Sequence, residues 1–365
     1  MSHALLSPSA SHRWIECPPS VRLTEFMEDK PSPYADEGTL AHSIAENKLN
    51  NYLGYTDKSV KCEDTSMDEY TDDYVAFVAE QMRVLNNPSA FVEQRVDCSK
   101  YVPECYGTCD ALIISDGVLH ICDLKYGTGV KVDAVGNDQL RIYALGALEM
   151  FLCLYDISTV RMSIFQPRLS HCDTWEISID ELLKWANEVL VPAANQAWNG
   201  EGEFKAGEHC RFCKAKEMCR KRAEYNLELS RYDFEPPATL VDIEIAAILC
   251  KADELVSWVT DVKEYALRQA FSGVTYDGFK VVEGRSNRKY TDENAVVDAV
   301  KSAGFDPYER SVLGITAMTA LLGKKKFNEL LGGLVEKPQG KPTLVPVSDK
   351  RPAVNTAQED FMEVK

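Results

Sequence analysis

The order of polar and apolar positions divides the chain into recognisable elements. Residues 90–96 (AFVEQRV) alternate as a β-strand, and 104–127 read as two strands around the dipeptide Asp116-Gly117, a tight-turn signal. Residues 159–166 predict a further strand. Helical spacing predicts helices over residues 38–46, 74–85, 138–148 and 179–198. A short helix capped by Ser9 or Ser11 precedes Cys17 and two prolines. The acidic run 57–73 reads as a solvated loop. Helices, strands, a helix, a strand and a helix in this order predict an α/β core with a mixed central sheet flanked by helices.

The last third reads as a mostly helical appendage. Apolar residues recur along 240–271 as one long amphipathic helix, which Gly273 would end. Residues 274–282 predict a hairpin around Asp277-Gly278, and Thr291 a cap for a helix over 292–303. Residues 316–331 predict another helix, carrying Lys324 to Lys326, and 337–346 an extended Pro-rich run. The expected divisions are 1–235, 236–335 and an extended tail 336–365.

The hairpin carries chemistry as well as structure. With a two-residue turn, Ser115 faces Val118, and stepping outward sets Asp110 opposite Asp123. Residues two apart share a face, so Lys125 lies beside Asp123. Two carboxylates facing each other repel. A divalent cation would remove the repulsion, and hard oxygen ligands suit Mg²⁺ or Mn²⁺. The plainer alternative is a solvated face on which Lys125 neutralises one aspartate. Glu93, on the neighbouring strand, is a further candidate ligand. His42 and Glu46 share a helix face, and so do Gln139 and Tyr143, which could donate hydrogen bonds to a phosphate or to the carboxylates.

Charge and cysteine usage narrow the picture. The net charge of −17 argues against indiscriminate nucleic-acid binding. From Lys205 to Arg222, however, seven Lys/Arg stand against two Asp/Glu, a local basic run. No stretch approaches the roughly 20 apolar residues of a membrane span, and the N-terminus lacks a signal-peptide pattern. Twelve scattered cysteines fit a reducing cytosol. Three of them, Cys210, Cys213 and Cys219, form C-x2-C-x5-C, the spacing of a metal or cluster site. His209 or the distant Cys17 could complete it, for Zn²⁺ or for an iron–sulfur cluster.

An N-terminal Cys before Pro, a helical His, G-x-x-D, D-x-K, Q-x-x-x-Y and C-x2-C-x5-C follow one another over about residues 7–222. In this order they resemble the RecB-like nucleases of the PD-(D/E)XK superfamily that carry an iron–sulfur staple, relatives of the AddB nuclease domain and the CRISPR-adaptation nucleases. The resemblance implies a restriction-endonuclease-like core. It implies metal ligands His42, Asp110, Asp123 and the Leu124 carbonyl, with Glu93 an auxiliary acid. Lys125 would be the catalytic lysine, Gln139 and Tyr143 would lie beside the substrate, and Cys17, Cys210, Cys213 and Cys219 would hold a 4Fe-4S cluster. Cys109 stands where the superfamily's proline would be.

The C-terminal run GKKKFNELLGG and the segments KPQGKPTLVP and SDKRP resemble a bacteriophage-encoded family with the same core. The expectation is a Mg²⁺- or Mn²⁺-dependent DNA exonuclease of phage recombination or replication, acting on single strands or duplex ends in the bacterial host cytoplasm. A phage single-strand-binding or annealing protein is the expected partner. The alternatives are a nicking endonuclease of the same chemistry and a non-catalytic, Zn-stapled DNA-binding scaffold.

Overall fold

A computed structural model describes residues 4–28, 33–57, 62–228, 242–282, 290–308 and 312–336. By internal contacts the chain divides into two units, Met1–Val274 and Thr275–Lys365. The first holds a five-stranded mixed sheet in the order β1-β2-β3-β4-β5. Its strands are β1 (Ser89–Asp97), β2 (Tyr106–Ser115), β3 (Gly117–Leu124), β4 (Ile157–Gln166) and β5 (His171–Ser178). The pairings are antiparallel except β3 with β4, which run parallel across a helical crossover. The helices before the sheet are α1 (Ser11–Glu16), α2 (Ser20–Thr24), α3 (Pro33–Tyr52) and α4 (Thr65–Arg83). Those after it begin are α5 (Asp138–Phe151), α6 (Ile179–Trp185) and α7 (Val191–Asn199), followed by α8 (Arg220–Leu227) and α9 (Asp242–Phe271).

Both faces of the central strands are covered. Leu112, Ile114, Leu119 and Ile121 pack with Ile142 and Leu145 of α5 and Leu190 and Ala194 near α7. Ala111, Ile113, Cys122 and Leu124 pack on the other face with Ala45 and Leu49 of α3 and Tyr74 and Val78 of α4. Runs of apolar residues, rather than strict alternation, follow from burial on two faces. Two glycines let helix α5 approach the sheet. A Cβ on Gly146 would come within 2.8 Å of Cys98 Sγ, and one on Gly107 within 2.5 Å of the Tyr143 ring.

The hairpin has the expected register: Ser115 pairs with Val118 and Ala111 with Cys122. Other expectations change. The acidic run is helical from Thr65, because Asp64 caps α4 by accepting from the amides of Ser66 and Met67. Its acids ride the outer face while Met67, Thr71, Tyr74 and Val78 are buried. Strand β5 was unforeseen. Ala10 takes the N-cap place of α1 with no side-chain bond, behind a short 3-10 turn, so neither serine caps it.

The division expected near residue 235 falls beyond α9, which ion pairs hold to the first unit. Asp261 receives Lys216 and Arg222, each at 2.6 Å, and Glu217 receives Arg268. The hairpin expected over 274–282 is instead a turn at Gly278, with no strand among the described residues there. Asp292, not Thr291, caps α10 (Glu293–Ser302). Gly323 splits the last expected helix into α11 (Ile315–Leu322) and α12 (Lys324–Leu331). The Pro-rich run lies outside the described residues. Among the described residues no helix is long and apolar enough to cross a membrane.

Candidate metal centre

The hairpin register carries Asp110 and Asp123 to facing positions one step beyond the Ala111–Cys122 pair. Asp110 is engaged at both oxygens. Oδ1 lies 3.0 Å from Nδ1 of His42, and Oδ2 accepts the Leu124 amide at 2.7 Å. His42 reaches it from α3, across 68 residues of sequence. Leu124, expected to offer its carbonyl, thus also donates its N–H here.

Glu93 joins from β1. The β1–β2 register is the same on both sides of Glu93, yet Glu93 itself makes no ladder pair and has φ 47°. A left-handed glutamate inside a strand is strained, and such strain collects at functional sites. His42, Glu93 and Asp110 each bring a ligand atom within 4.8 Å of the others, and this is the one such group among the described residues. Asp123 stands outside that trio. Its Oδ2 lies 3.0 Å from Nζ of Lys125, an ion pair without hydrogen-bond geometry. The ammonium is therefore the counter-charge for Asp123.

Gln139 and Tyr143 continue the array. Lys125 Nζ donates to Gln139 Oε1 at 3.0 Å, and Gln139 Nε2 lies 3.0 Å from the Tyr143 hydroxyl. An ammonium only donates, so the Gln139 carbonyl must face Lys125 and its amide must face Tyr143. Tyr143 then accepts, and its own O–H remains available to donate. The sequence reading missed Tyr74, whose hydroxyl donates to the carbonyl of Cys122, the residue before Asp123, at 2.9 Å.

Burial and like charge shape the titration of these groups. Burial, then the Asp110 charge, push the Glu93 carboxyl up to about 7. Burial also raises Asp123, with Lys125 opposing and Asp110 adding. Burial works against charge on His42 and Lys125, yet both rise. Asp110 outweighs it for His42, by charge and hydrogen bond, and Asp123 and Asp110 outweigh it for Lys125. Burial chiefly keeps the Tyr143 phenol protonated. The centre thus gathers carboxylates whose joint ionisation burial and like charge oppose, an arrangement that a cation would relieve.

The cysteines of the N-terminal segment and of 210–219 come together at a second place in this unit. Cys17, Cys210, Cys213 and Cys219 line one small cavity together with Arg13, Ser20, Lys205, His209 and Lys216. No three of these thiols come within 4.8 Å of one another. Burial raises the Cys210 thiol to about 11 and lifts Cys213 as well. His209 turns its Nε2 to the Lys205 carbonyl, 3.1 Å away.

With that geometry in place, two similarities to known proteins bear on the chain. The family described as "Protein of unknown function (DUF2800)" matches residues 3–352, nearly the whole sequence. The protein SSO0001, known from a crystal structure, is similar at 14% identity and a TM-score of 0.28, over 59% of this chain and 85% of its own.

Proposed function

The chain belongs to that DUF2800 family, and we propose that it is a metal-dependent DNA exonuclease with a PD-(D/E)XK, RecB-like core. The observation that carries this reading is the Lys125 ammonium, 3.0 Å from Asp123 and beside a trio of His42, Glu93 and Asp110 within 4.8 Å. A purely structural cation site has no use for a half-buried lysine held by Gln139 at 3.0 Å. His42, Glu93 and Asp110 would hold Mg²⁺ or Mn²⁺, with Asp123 free to join once Lys125 turns to substrate. When bound, such an ion supplies Lewis-acid polarisation of the phosphodiester and a more acidic water.

The protein's own groups do the rest. Lys125 places positive charge where the phosphate gains negative charge in the transition state. Gln139 fixes the direction of that ammonium, and Tyr143 fixes Gln139. Tyr74 holds the Cys122 carbonyl and so the strand that carries Asp123. The low-dielectric surroundings strengthen each of these charges.

For the second centre we infer an iron–sulfur cluster held by Cys17, Cys210, Cys213 and Cys219. Four thiolates on one zinc, with bonds of about 2.3 Å, stand only about 3.8 Å apart. A four-iron cube is held by four Cys thiolates. Four cysteines gathered around one cavity match that ligand set. It would tie α1 to the segment before α8 and so brace the face that carries α5.

The functional reading places the enzyme in phage DNA recombination or replication. End-labelled linear DNA and closed circular DNA, incubated with Mn²⁺ and separately with EDTA, test it. Progressive loss of linear DNA in Mn²⁺ alone is expected. Cleavage of circles would make it a nicking endonuclease. Binding without cleavage would make it a scaffold.

A further inference from the structure

The C-terminal end of β4 touches three segments that converge on the metal centre. The Lys125 amide donates to the Phe165 carbonyl at 2.9 Å. The next residue, Gln166, is 1% exposed and bridges the connection from β3 to α5. It accepts from Val132 N at 2.8 Å and donates to Val130 O at 3.0 Å. Two residues on, Arg168 donates from Nη1 to Glu37 Oε2 at 2.9 Å and lays its guanidinium over the Tyr126 ring at 4.9 Å.

Arg168 therefore joins two pieces that no short stretch of chain connects. Glu37 lies in the first turns of α3, five residues or about 7.5 Å of helix before His42. Tyr126 directly follows Lys125 and packs on Ala41 and Ile44 of the same helix. A helix is stiff, so a tether near one end, together with packing on one face, sets both its axial position and its rotation. The rotation of α3 decides whether His42 Nδ1 meets Asp110. Arg168 is the side chain that references α3 to the residue beside Lys125.

We propose that Arg168 is a positioning residue for the metal centre, acting through Glu37 and Tyr126 to hold His42 in register with Asp110. The proposal rests on the metal-centre reading above. Both side chains of the ion pair are partly exposed, 27% for Arg168 and 37% for Glu37, so the pair contributes little to stability. Its loss should act on the geometry of the ligand and leave the fold in place. Groups outside the ligand set that orient the ligands commonly change metal affinity by 10–100-fold.

Calorimetric titration with Mn²⁺ alone tests this in the full chain. Arg168→Met and Glu37→Gln should each weaken Mn²⁺ binding by about 10-fold with an almost unchanged Tm. The swap Glu37→Arg with Arg168→Glu should recover much of the affinity. Lys100→Met, which removes an exposed pair with Glu149 far along the chain, should change nothing. If Arg168→Met melts early, Glu37→Gln and the swap decide alone. Wild-type Mn²⁺ affinity in Glu37→Gln would overturn the role of Arg168 and leave the metal centre standing. A wild-type protein that takes up no Mn²⁺ would overturn the centre itself, and the proposal with it.

Discussion

The carboxylate centre and the cysteine centre of the same unit are built on opposite principles. In the first, the key side chains are fixed by neighbours: Asp110 by His42 and Leu124, Lys125 by Asp123 and Gln139. In the second, four thiols line a cavity without bonding one another, and Cys17 comes from almost 200 residues away. The first centre is preorganised by the sheet, as a catalytic site must be if positioning and electrostatics are to lower a barrier. The second, on the cluster proposal, would be organised by the group it binds. Removing the bound group should therefore have different effects at the two places. The carboxylate centre should keep its shape and lose its chemistry. The cysteine centre should lose its shape.

The largest effect expected from this contrast is at Lys125. Lys125→Ala should reduce cleavage by about 10³-fold or more, in the range of removing a preorganised charge from a transition state. DNA binding, measured by anisotropy without a divalent ion, should be nearly intact. Parallel loss of binding and cleavage would make Lys125 a docking residue. At the cysteine centre, anaerobically purified protein should be brown and contain acid-labile sulfide. Cys17→Ser should bleach it as fully as Cys213→Ser, with an early-melting N-terminal segment. One tightly held zinc per colourless chain would refute the cluster, and a brown Cys17→Ser protein would remove Cys17 from it.

A smaller effect is expected from pH. The folded Glu93 carboxyl titrates near 7, above its ordinary value of 4.5. A raised pKa means that protonation favours the folded state. The stabilisation is complete below the unfolded value and is lost as pH rises through about 7. A cation needs the opposite, ionised form. The Tm increase produced by Mn²⁺ should thus be greatest above pH 7 and shrink below it, while the metal-free Tm shifts the other way. An Mn²⁺ response that is flat from pH 5.5 to 8.5 would exclude Glu93 from the ligand set. The smallest expected effect is structural. Gly107→Ala should press on the Tyr143 ring, 2.5 Å from the added carbon, at a cost of about 1–3 kcal/mol. Cleavage should fall because Tyr143 no longer steadies Gln139. Unchanged melting and cleavage would show that the ring moves freely.

The contrast also explains what the sequence revealed. Asp110, Asp123 and Lys125 were legible because a two-residue turn and a period of two leave one register. The cysteine spacing was legible because three thiols so close together have few other uses. Glu93 was legible as a neighbour but not as a left-handed residue, since nothing local in AFVEQRV demands that conformation. Strand β5 escaped because an edge strand buries little: of His171–Ser178, only Ile177 is buried. The start of α4 escaped because its acids suggested a loop while a buried stripe of Met67, Thr71 and Tyr74 ran beneath them. Tyr74 and Arg168 act through contacts 48 and 131 residues away, which no spacing rule encodes.

If the facing carboxylates of the hairpin form a catalytic cation site, Asp110 must serve both metal binding and cleavage. Calorimetric scans of wild type and Asp110→Asn, each with and without Mn²⁺, test it most directly. In the metal-free protein Asp110→Asn removes a charge that raises both Glu93 and Asp123, so the variant should melt at or above the wild type. With Mn²⁺ the wild type should gain stability by preferential binding to the folded state, and the variant should gain little and cleave no DNA. An Asp110→Asn protein that responds to Mn²⁺ like the wild type, or still degrades DNA, would contradict the account.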